Sequence, residues 1–498
     1  MKKIQLFLIN GTILTLTSFL LRTIGVSFNV YISNKIGSEA VGVYSLVMSV
    51  YLFITTLALS GINFACMRLV SKEMAYGNTG GAKKVVTTCL LYCFVLGSFS
   101  GILLFLFAPA ISTYWLHDKI SSFPFYVMAV SLPFVSMSAC ITGYFSAVRR
   151  VAKNSSVQIL EQVIKVFLIS YLLTIFLPDT IDYACIALVL GTTVSEILSF
   201  GIMFLLYTLE KKEKKYHSEE NFHKEILRIS IPIAITSCIR SGLSTLKQIL
   251  IPIRLEKSGI SCTTALSQYG MIHGMVMPII LFPSTFIQSF SNLLVPEFSY
   301  YHTRSEINKI HYAVSKILKY TLLFSIGIVG IFIAFSDSIS FIIYHQLELS
   351  SYIKLLAPLI VFMYLDNVID GVLKGLDKQV GVMAVNIIDL FVSISFIYFL
   401  LPVFGILGYL FVIFVSEILN CALSMKELKK IISVKLNILN WIIKPIFACI
   451  FSFFTLYLFS FTHFRNAFEL IIGIILFFFT YLIYLFFFRS LKKEDIPF

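Results

Sequence analysis

The chain has 498 residues, 58% of them hydrophobic and only 13% charged, with a formal net charge of +13. Soluble domains are about a quarter charged, so this composition excludes an ordinary water-soluble protein and points to a polytopic membrane protein. The positive balance does not argue for nucleic acid, because Lys and Arg gather in short loops at the ends of apolar runs, where they set topology.

The apolar runs are about 20 residues long, which suits membrane helices and not the ten-residue alternation of a barrel. The pattern predicts an all-α fold of about fourteen transmembrane helices, near 6–31, 40–66, 85–108, 123–147, 157–177, 183–208, 227–253, 265–293, 313–335, 352–373, 380–401, 404–425, 441–461 and 467–488. The first run follows Met1-Lys2-Lys3 and continues to about Tyr31 without a small-residue cleavage site, so it reads as an uncleaved span. With both termini in the cytoplasm of a cell-membrane protein, the outer loops hold only Lys35, Lys119, Arg254, Lys257, Lys354 and Arg465. Most other Lys and Arg fall on the cytoplasmic side, as the positive-inside rule requires. The longest polar loop, 210–220, is too short for a soluble domain.

Five basic residues lie inside spans: Arg22, Lys165, Arg240, Lys247 and Lys444. A cation at bilayer depth costs about 2.5–3.5 kcal/mol on insertion scales, so it is expected to face a partner or a watery cavity. Arg22 in span one and Arg240 and Lys247 in span seven are candidate ligands for phosphate oxygens, Arg through its planar fork and Lys as a point charge. The alternative is that each closes a buried ion pair, and Lys247 is near enough to the outer face to snorkel. Pro232 and Pro252 predict a broken or bent span seven.

Span five carries Gln158, Glu161, Gln162 and Lys165. Glu161 and Lys165 are one turn apart and are expected to pair, with Gln158 and Gln162 on the same side. That grouping is either a part of the substrate path or a structural pair. Among the acids, Asp366, Asp370 and Asp389 are candidates for coupling a proton or Na⁺; the alternative makes Asp366 and Asp370 partners of Arg240 or of loop cations.

An internal repeat organises the chain. Val194-Ser195-Glu196-Ile197-Leu198 recurs as Val415-Ser416-Glu417-Ile418-Leu419, while Arg22 aligns with Lys247, Tyr44 with Tyr269, Arg149 with Lys374 and Pro178 with Pro402. Six spans per repeat is an even number, so both halves share one orientation: two six-helix lobes in parallel pseudo-repeat around a central cavity. The expected division is an N-terminal lobe over 1–210, a C-terminal lobe over 224–430 and a Phe-rich helix pair over 438–488. Glu196 and Glu417 occupy equivalent places, which favours a shared structural role.

Nine cysteines are scattered without a CxxC pair, which indicates neither a zinc site nor a disulfide framework. His273 is the one histidine well inside a span. There is no HExxH, GxSxG or GxxxxGK[ST] sequence, hence no visible means of ATP hydrolysis and no enzyme, metal or cofactor expectation.

Several ordered segments carry a family likeness: Leu14-Thr15-Leu16-Thr17-Ser18 with Leu21-Arg22-Thr23-Ile24-Gly25, then Ile36-Gly37, Gly42-Val43-Tyr44, Ser60-Gly61-Ile62, Arg68-Leu69-Val70 and Gly77-Asn78. Further on come Gln158-Ile159-Leu160-Glu161-Gln162, Tyr269-Gly270, Pro278, Pro283 and Leu294-Val295-Pro296. This set resembles the stage V sporulation protein B branch of the multidrug/oligosaccharidyl-lipid/polysaccharide (MOP) exporter superfamily, close to the MurJ lipid II flippases. The resemblance covers spans one to twelve and implies a two-lobed, monomeric flippase that moves an undecaprenyl-linked sugar precursor outward by alternating access. Relatives of that kind commonly bear a second Arg in span one, where this chain has Phe28 and Asn29. The resemblance also implies that spans thirteen and fourteen cradle the prenyl tail. The competing expectations are a cation-coupled multidrug exporter of the same superfamily and a non-transporting scaffold of wall synthesis. Basic spans one and seven count against a cationic substrate.

Overall fold

The structure is a computed structural model that describes residues 2–116, 121–175, 181–210, 222–288, 291, 298, 301, 304, 306–432, 437–458, 464 and 466–491. Pro178, the loop 211–220, Leu294-Val295-Pro296, Lys119 and Arg465 lie outside the described residues.

The regular elements are all helical among the described residues. They are α1 (Lys2–Leu59), α2 (Ile62–Ala75), α3 (Thr79–Leu116), α4 (Phe123–Ala147), α5 (Val151–Ile175), α6 (Ile181–Thr208) and α7 (His223–Glu256). Next, α8 (Cys262–Tyr269) runs through a π-helical turn, Gly270–Val276, into α9 (Met277–Leu281). Then come α10 (Ile307–Tyr344), α11 (Glu348–Leu356), α12 (Leu359–Gly375), α13 (Gln379–Lys429), α14 (Lys444–Leu458) behind a π-helical Leu439–Ile443, and α15 (Ala467–Phe487).

Among the described residues ten helices are long and apolar enough to cross a membrane, or up to 11 if α11 and α12, bent by 51°, form one span. Two of the ten are double. Gly37 breaks α1 at φ 78° and Gly405 breaks α13 at φ 55°, both in the left-handed region where glycine has no Cβ to clash. Counting the α11–α12 pair as one span, these two breaks, and α8 to α9 as a further span gives fourteen, as expected. Of the two alternatives for span seven, a break or a bend, the break is not seen: α7 is continuous from His223 to Glu256 with Pro232 and Pro252 inside it. Membrane helices tolerate proline because neighbouring groups satisfy the freed carbonyls.

By packing, the chain forms two units: residues 1–28, 36–256 and 260–270, and residues 29–35, 257–259 and 271–498. They follow contacts and so place α7 in the first unit; the lobes 1–210 and 224–430 with the pair 438–488 remain a proposal drawn from the repeat. In the first unit α2, α3 and α4 pack on one another, α4 and α5 contact α6, and α7 joins through α2 and α8. Its interior holds Ile62, Ala65, Leu69, Val85, Val86 and Ile226. The second half of α1 crosses α8 so closely that a Cβ on Gly42 would strike the Leu266 carbonyl oxygen, and one on Gly270 the Ser38 carbonyl oxygen. Small residues permit this approach where apolar burial gives no net drive between helices in lipid.

In the second unit α12 lies along α13, and α10 contacts α11, α12, α14 and α15. Its buried aromatics donate their hydroxyls to backbone carbonyls: Tyr481 to Leu323 at 2.7 Å, and Tyr344 to Met275 at 2.9 Å.

Candidate functional site

Span one is an apolar helix that carries a few polar side chains. Thr23 Oγ1, for example, donates to the Phe19 carbonyl one turn back at 2.9 Å. Arg22 beside it offers only donors and calls for an acceptor or water. It is exposed, and among the described residues it has no hydrogen-bond or ion-pair partner. The face one turn on is open too: a Cβ on Gly25 would meet nothing within 4 Å. Arg240 on α7 is likewise exposed and without such a partner among the described residues, whereas Lys247 is half-buried. The face of α7 beside Arg240 seats on the second half of α1, through Thr245 to the Ser49 carbonyl at 2.9 Å and Thr56 to Ser241 at 3.2 Å.

The predicted Glu161–Lys165 pair is not formed. Ser199 on α6 donates to Glu161 Oε2 at 2.6 Å instead, and Lys165 acts at longer range on both Glu161 and Glu196. Glu196 accepts from Tyr51 Oη at 2.6 Å, and Ser131 sits 2.7 Å from the same hydroxyl. Hydroxyls on neighbouring helices outcompete a lysine one turn away because they reach the carboxylate without desolvating an ammonium. Tyr51, Ser131 and Ser199 are neighbours of these acids that helical spacing could not reveal, since they come from other spans. Gln158 is exposed and Gln162 half-buried on α5.

The end of this unit that carries α2, the α4–α5 turn and the start of α7 is basic. A cavity of about 480 Å³ there is lined by Phe64, Met67, Arg68, Ser71, Arg149 and Ile233, among others. Arg149 sits at φ 59°, a left-handed conformation that costs a non-glycine residue energy and is concentrated at functional sites. Nearby, Glu210 accepts from Tyr144 Oη at 2.6 Å, Arg150 Nη1 at 2.6 Å and Lys153 Nζ at 3.1 Å. Partial burial alone would raise its carboxyl, but the Tyr144 hydroxyl and the two cations outweigh that and hold it below the usual carboxylate range.

In the second unit α12 and α13 bring the three predicted coupling acids into one polar layer. Asn420 donates to Asp366 Oδ2 at 2.8 Å, Ser416 to Asp389 Oδ1 at 2.7 Å, and Ser393 to Ser416 at 3.0 Å. Lys374, one turn on in α12, lies 3.7 Å from Asp370. Asp366 Oδ1 and Asn420 Oδ1 are buried without a hydrogen-bond partner. The charges of Asp370 and Asp389 both act on Asp366. The three carboxylates do not, however, draw close enough together to ligate a single ion as a set. Ser416, Asn420 and Ser424 were missed by the sequence reading, although their four-residue spacing lays a polar stripe along one face of α13.

Beside α10, α14 and α15 runs a groove of about 470 Å³, lined by Ile326, Gly330, Ala334, Ile450, Phe453 and Phe477 among others. Asp337 and Lys354, paired at 2.9 Å, stand at its one charged border. The Phe-rich pair is thus divided: Phe477 is fully buried, while Phe479 and Phe487 are exposed.

Comparisons with known proteins agree with the expected resemblance. The sequence profile of a family described as polysaccharide biosynthesis protein matches residues 7–302. Stage V sporulation protein B of Bacillus subtilis (strain 168) is 26% identical over 444 residues, covering 87% of this chain and 86% of the relative. A solved structure of lipid II flippase MurJ in an inward closed conformation superposes with a TM-score of 0.73 at 15% identity, covering 95% of this chain and 98% of that one. An inward-facing multidrug resistance MATE family transporter of the MOP superfamily gives 0.60 at 14% identity over 83% and 95%. At these identities the two structures speak for the fold.

Proposed function

The chain belongs to the polysaccharide biosynthesis protein family, and from that premise we propose that it is a flippase for an undecaprenyl-linked sugar precursor of the lipid II kind. The observation that carries this reading is Arg22, exposed in an apolar span and without a partner among the described residues. A guanidinium so placed needs an anion or water, and its planar fork suits phosphate oxygens. Arg240 supports the same role from α7, with Lys247, Gln158, Glu161, Gln162 and Lys165 further along the path. The cavity bearing Arg68 and Arg149 suits first capture of the headgroup from the cytoplasmic leaflet. The apolar groove by α14 and α15 suits the prenyl tail.

Energetics favour the outward direction. A lipid pyrophosphate carries about two negative charges, and an inside-negative potential assists each by about 2.3 kcal/mol per 100 mV. Asp366, with Asp370 and Asp389 acting on it, is the candidate for a coupling proton or Na⁺. The protein then sits in the cell membrane with both termini in the cytoplasm and cycles by alternating access.

The test is binding of the purified chain to lipid II, undecaprenyl phosphate and a cationic dye, wild type beside Arg22→Glu. The expected result is preference for lipid II that the substitution abolishes while the protein still inserts and folds. Dye binding that survives Arg22→Glu, with no lipid preference, would replace this reading by the multidrug-exporter one.

A further inference from the structure

Four of the nine cysteines, scattered in the sequence, converge in the interior of the first unit. Cys66 comes from α2, Cys89 and Cys93 from successive turns of α3, and Cys140 from α4; each is at most 1% exposed. Cys140 Sγ lies 3.8 Å from Cys66 Sγ, and the sulfurs of Cys66, Cys89 and Cys140 all fall within 4.8 Å of one another. Cys93 packs in the same apolar cluster but falls outside the set whose sulfurs all lie within 4.8 Å of one another, so the candidate ligands are Cys66, Cys89 and Cys140. Among the described residues no other group of three potential metal ligands comes this close. Around the sulfurs stand Ile62, Ala65, Leu69, Val85 and Val86, which offer no competing side-chain ligand.

We propose that this cluster is a closed structural site for a soft d¹⁰ cation, Zn²⁺ or Cu⁺, held by thiolates of α2, α3 and α4. A tetrahedron of Zn–S bonds of about 2.3 Å has edges of about 3.8 Å, the spacing of Cys66 and Cys140. A donor set made only of sulfur selects zinc and monovalent copper over the hard cations. Each thiol that ligates gives up its proton, which leaves with the displaced solvent as the metal enters. Because the sulfurs are sealed from solvent, the ion enters while α2, α3 and α4 assemble and then pins them together. The sequence concealed this site because its ligands are spread over three helices rather than placed in CxxC pairs.

The experiment is metal analysis by mass spectrometry of the full chain, expressed with added zinc or copper and purified in detergent under reducing conditions. The expected result is close to one ion per chain, resistant to a chelator, with X-ray absorption showing a sulfur shell at about 2.3 Å and the edge telling zinc from copper. Cys140→Ala loses the ion; Cys185→Ala, which removes a buried thiol of α6 outside the cluster, keeps it. Should Cys140→Ala fail to fold, Cys89→Ala gives the same readout. Protein purified without bound metal after growth in either supplement overturns the proposal and leaves four thiols packed as small apolar groups. So does an ion retained by both cluster variants, or a disulfide between Cys66 and Cys140 in peptide maps.

Discussion

Tyr51→Phe tests how the first unit holds its intramembrane acids. The Tyr51 hydroxyl is 2.6 Å from Glu196 Oε2 and 2.7 Å from Ser131 Oγ, in a side chain only 3% exposed. Phenylalanine keeps the ring packing and removes that hydroxyl alone, so a carboxyl oxygen loses its donor where water cannot replace it. A hydrogen bond to a charged group contributes about 1.5–3 kcal/mol, and that is the expected loss of stability. Replacing both partners by apolar groups of similar shape costs much less than the two single changes added together, because no orphan remains. The double variant Tyr51→Phe with Glu196→Met should therefore recover at least 1 kcal/mol or so relative to additivity. The assay is reversible unfolding of the full chain in mixed micelles, as a complete double-mutant cycle. Additivity within about 0.5 kcal/mol would refute the bond as an energetic link between α1 and α6.

Four further outcomes follow from the same coordinates. Gly270→Ala drives a methyl into the Ser38 carbonyl and should cost about 1–3 kcal/mol or prevent folding, whereas Gly25→Ala, which meets nothing, should be neutral; monodispersity on size exclusion separates them. Glu210 has its folded pKa held below its unfolded value, so its contribution is full above the unfolded value of about 4.3 and fades as pH falls through the lower folded one. The stability gap between wild type and Glu210→Gln should accordingly stay level from pH 7 to about 5 and close below about pH 4 in a pH series of unfolding midpoints. Asp366→Asn should abolish the dependence of flipping on a proton or Na⁺ gradient in proteoliposomes while leaving lipid II binding in place. Ala334→Trp fills the groove by α14 and α15 and should slow flipping of the undecaprenyl substrate several-fold but spare a short-prenyl analogue; equal effects on both would remove the groove from the tail path.

Hydropathy made the spans legible, because in lipid the length and apolarity of a helix are fixed by the bilayer itself. The breaks were not legible in the same way. Proline interrupts helices in water, so Pro232 and Pro252 suggested a broken or bent span; α7 is unbroken, and the chain departs from helical geometry at Gly37 and Gly405 instead. Proline removes one donor that neighbours can compensate, whereas a left-handed glycine takes the backbone out of the helix altogether. Helical spacing likewise brought Glu161 to Lys165 on paper, but the structure gives Glu161 to Ser199. That partner depends on which helices touch, and a single sequence does not state it. Asp366, Asp370 and Asp389 were legible as acids in apolar surroundings, and Ser416 with Asn420 lay in a visible stripe; only their pairing required the fold.

The outcome for acids and bases is asymmetric, and the asymmetry bears on function. Glu161, Glu196, Asp366 and Asp389 each accept a hydrogen bond from a neutral side chain. Arg22 and Arg240 have no such partner among the described residues. Were the intramembrane charges only structural, the cheapest arrangement would pair the bases with the acids, since a lone buried charge costs several kcal/mol more than a paired one. The first unit instead satisfies its carboxylates with hydroxyls and leaves its guanidiniums exposed. That arrangement keeps a positive field available to a ligand that brings its own negative charge, and a neutral or cationic cargo would gain nothing from it. The same field predicts that Arg22→Lys, which keeps the charge but loses the fork, should retain part of the lipid II binding that Arg22→Glu abolishes. Equal loss in both variants would mean that Arg22 acts through shape alone.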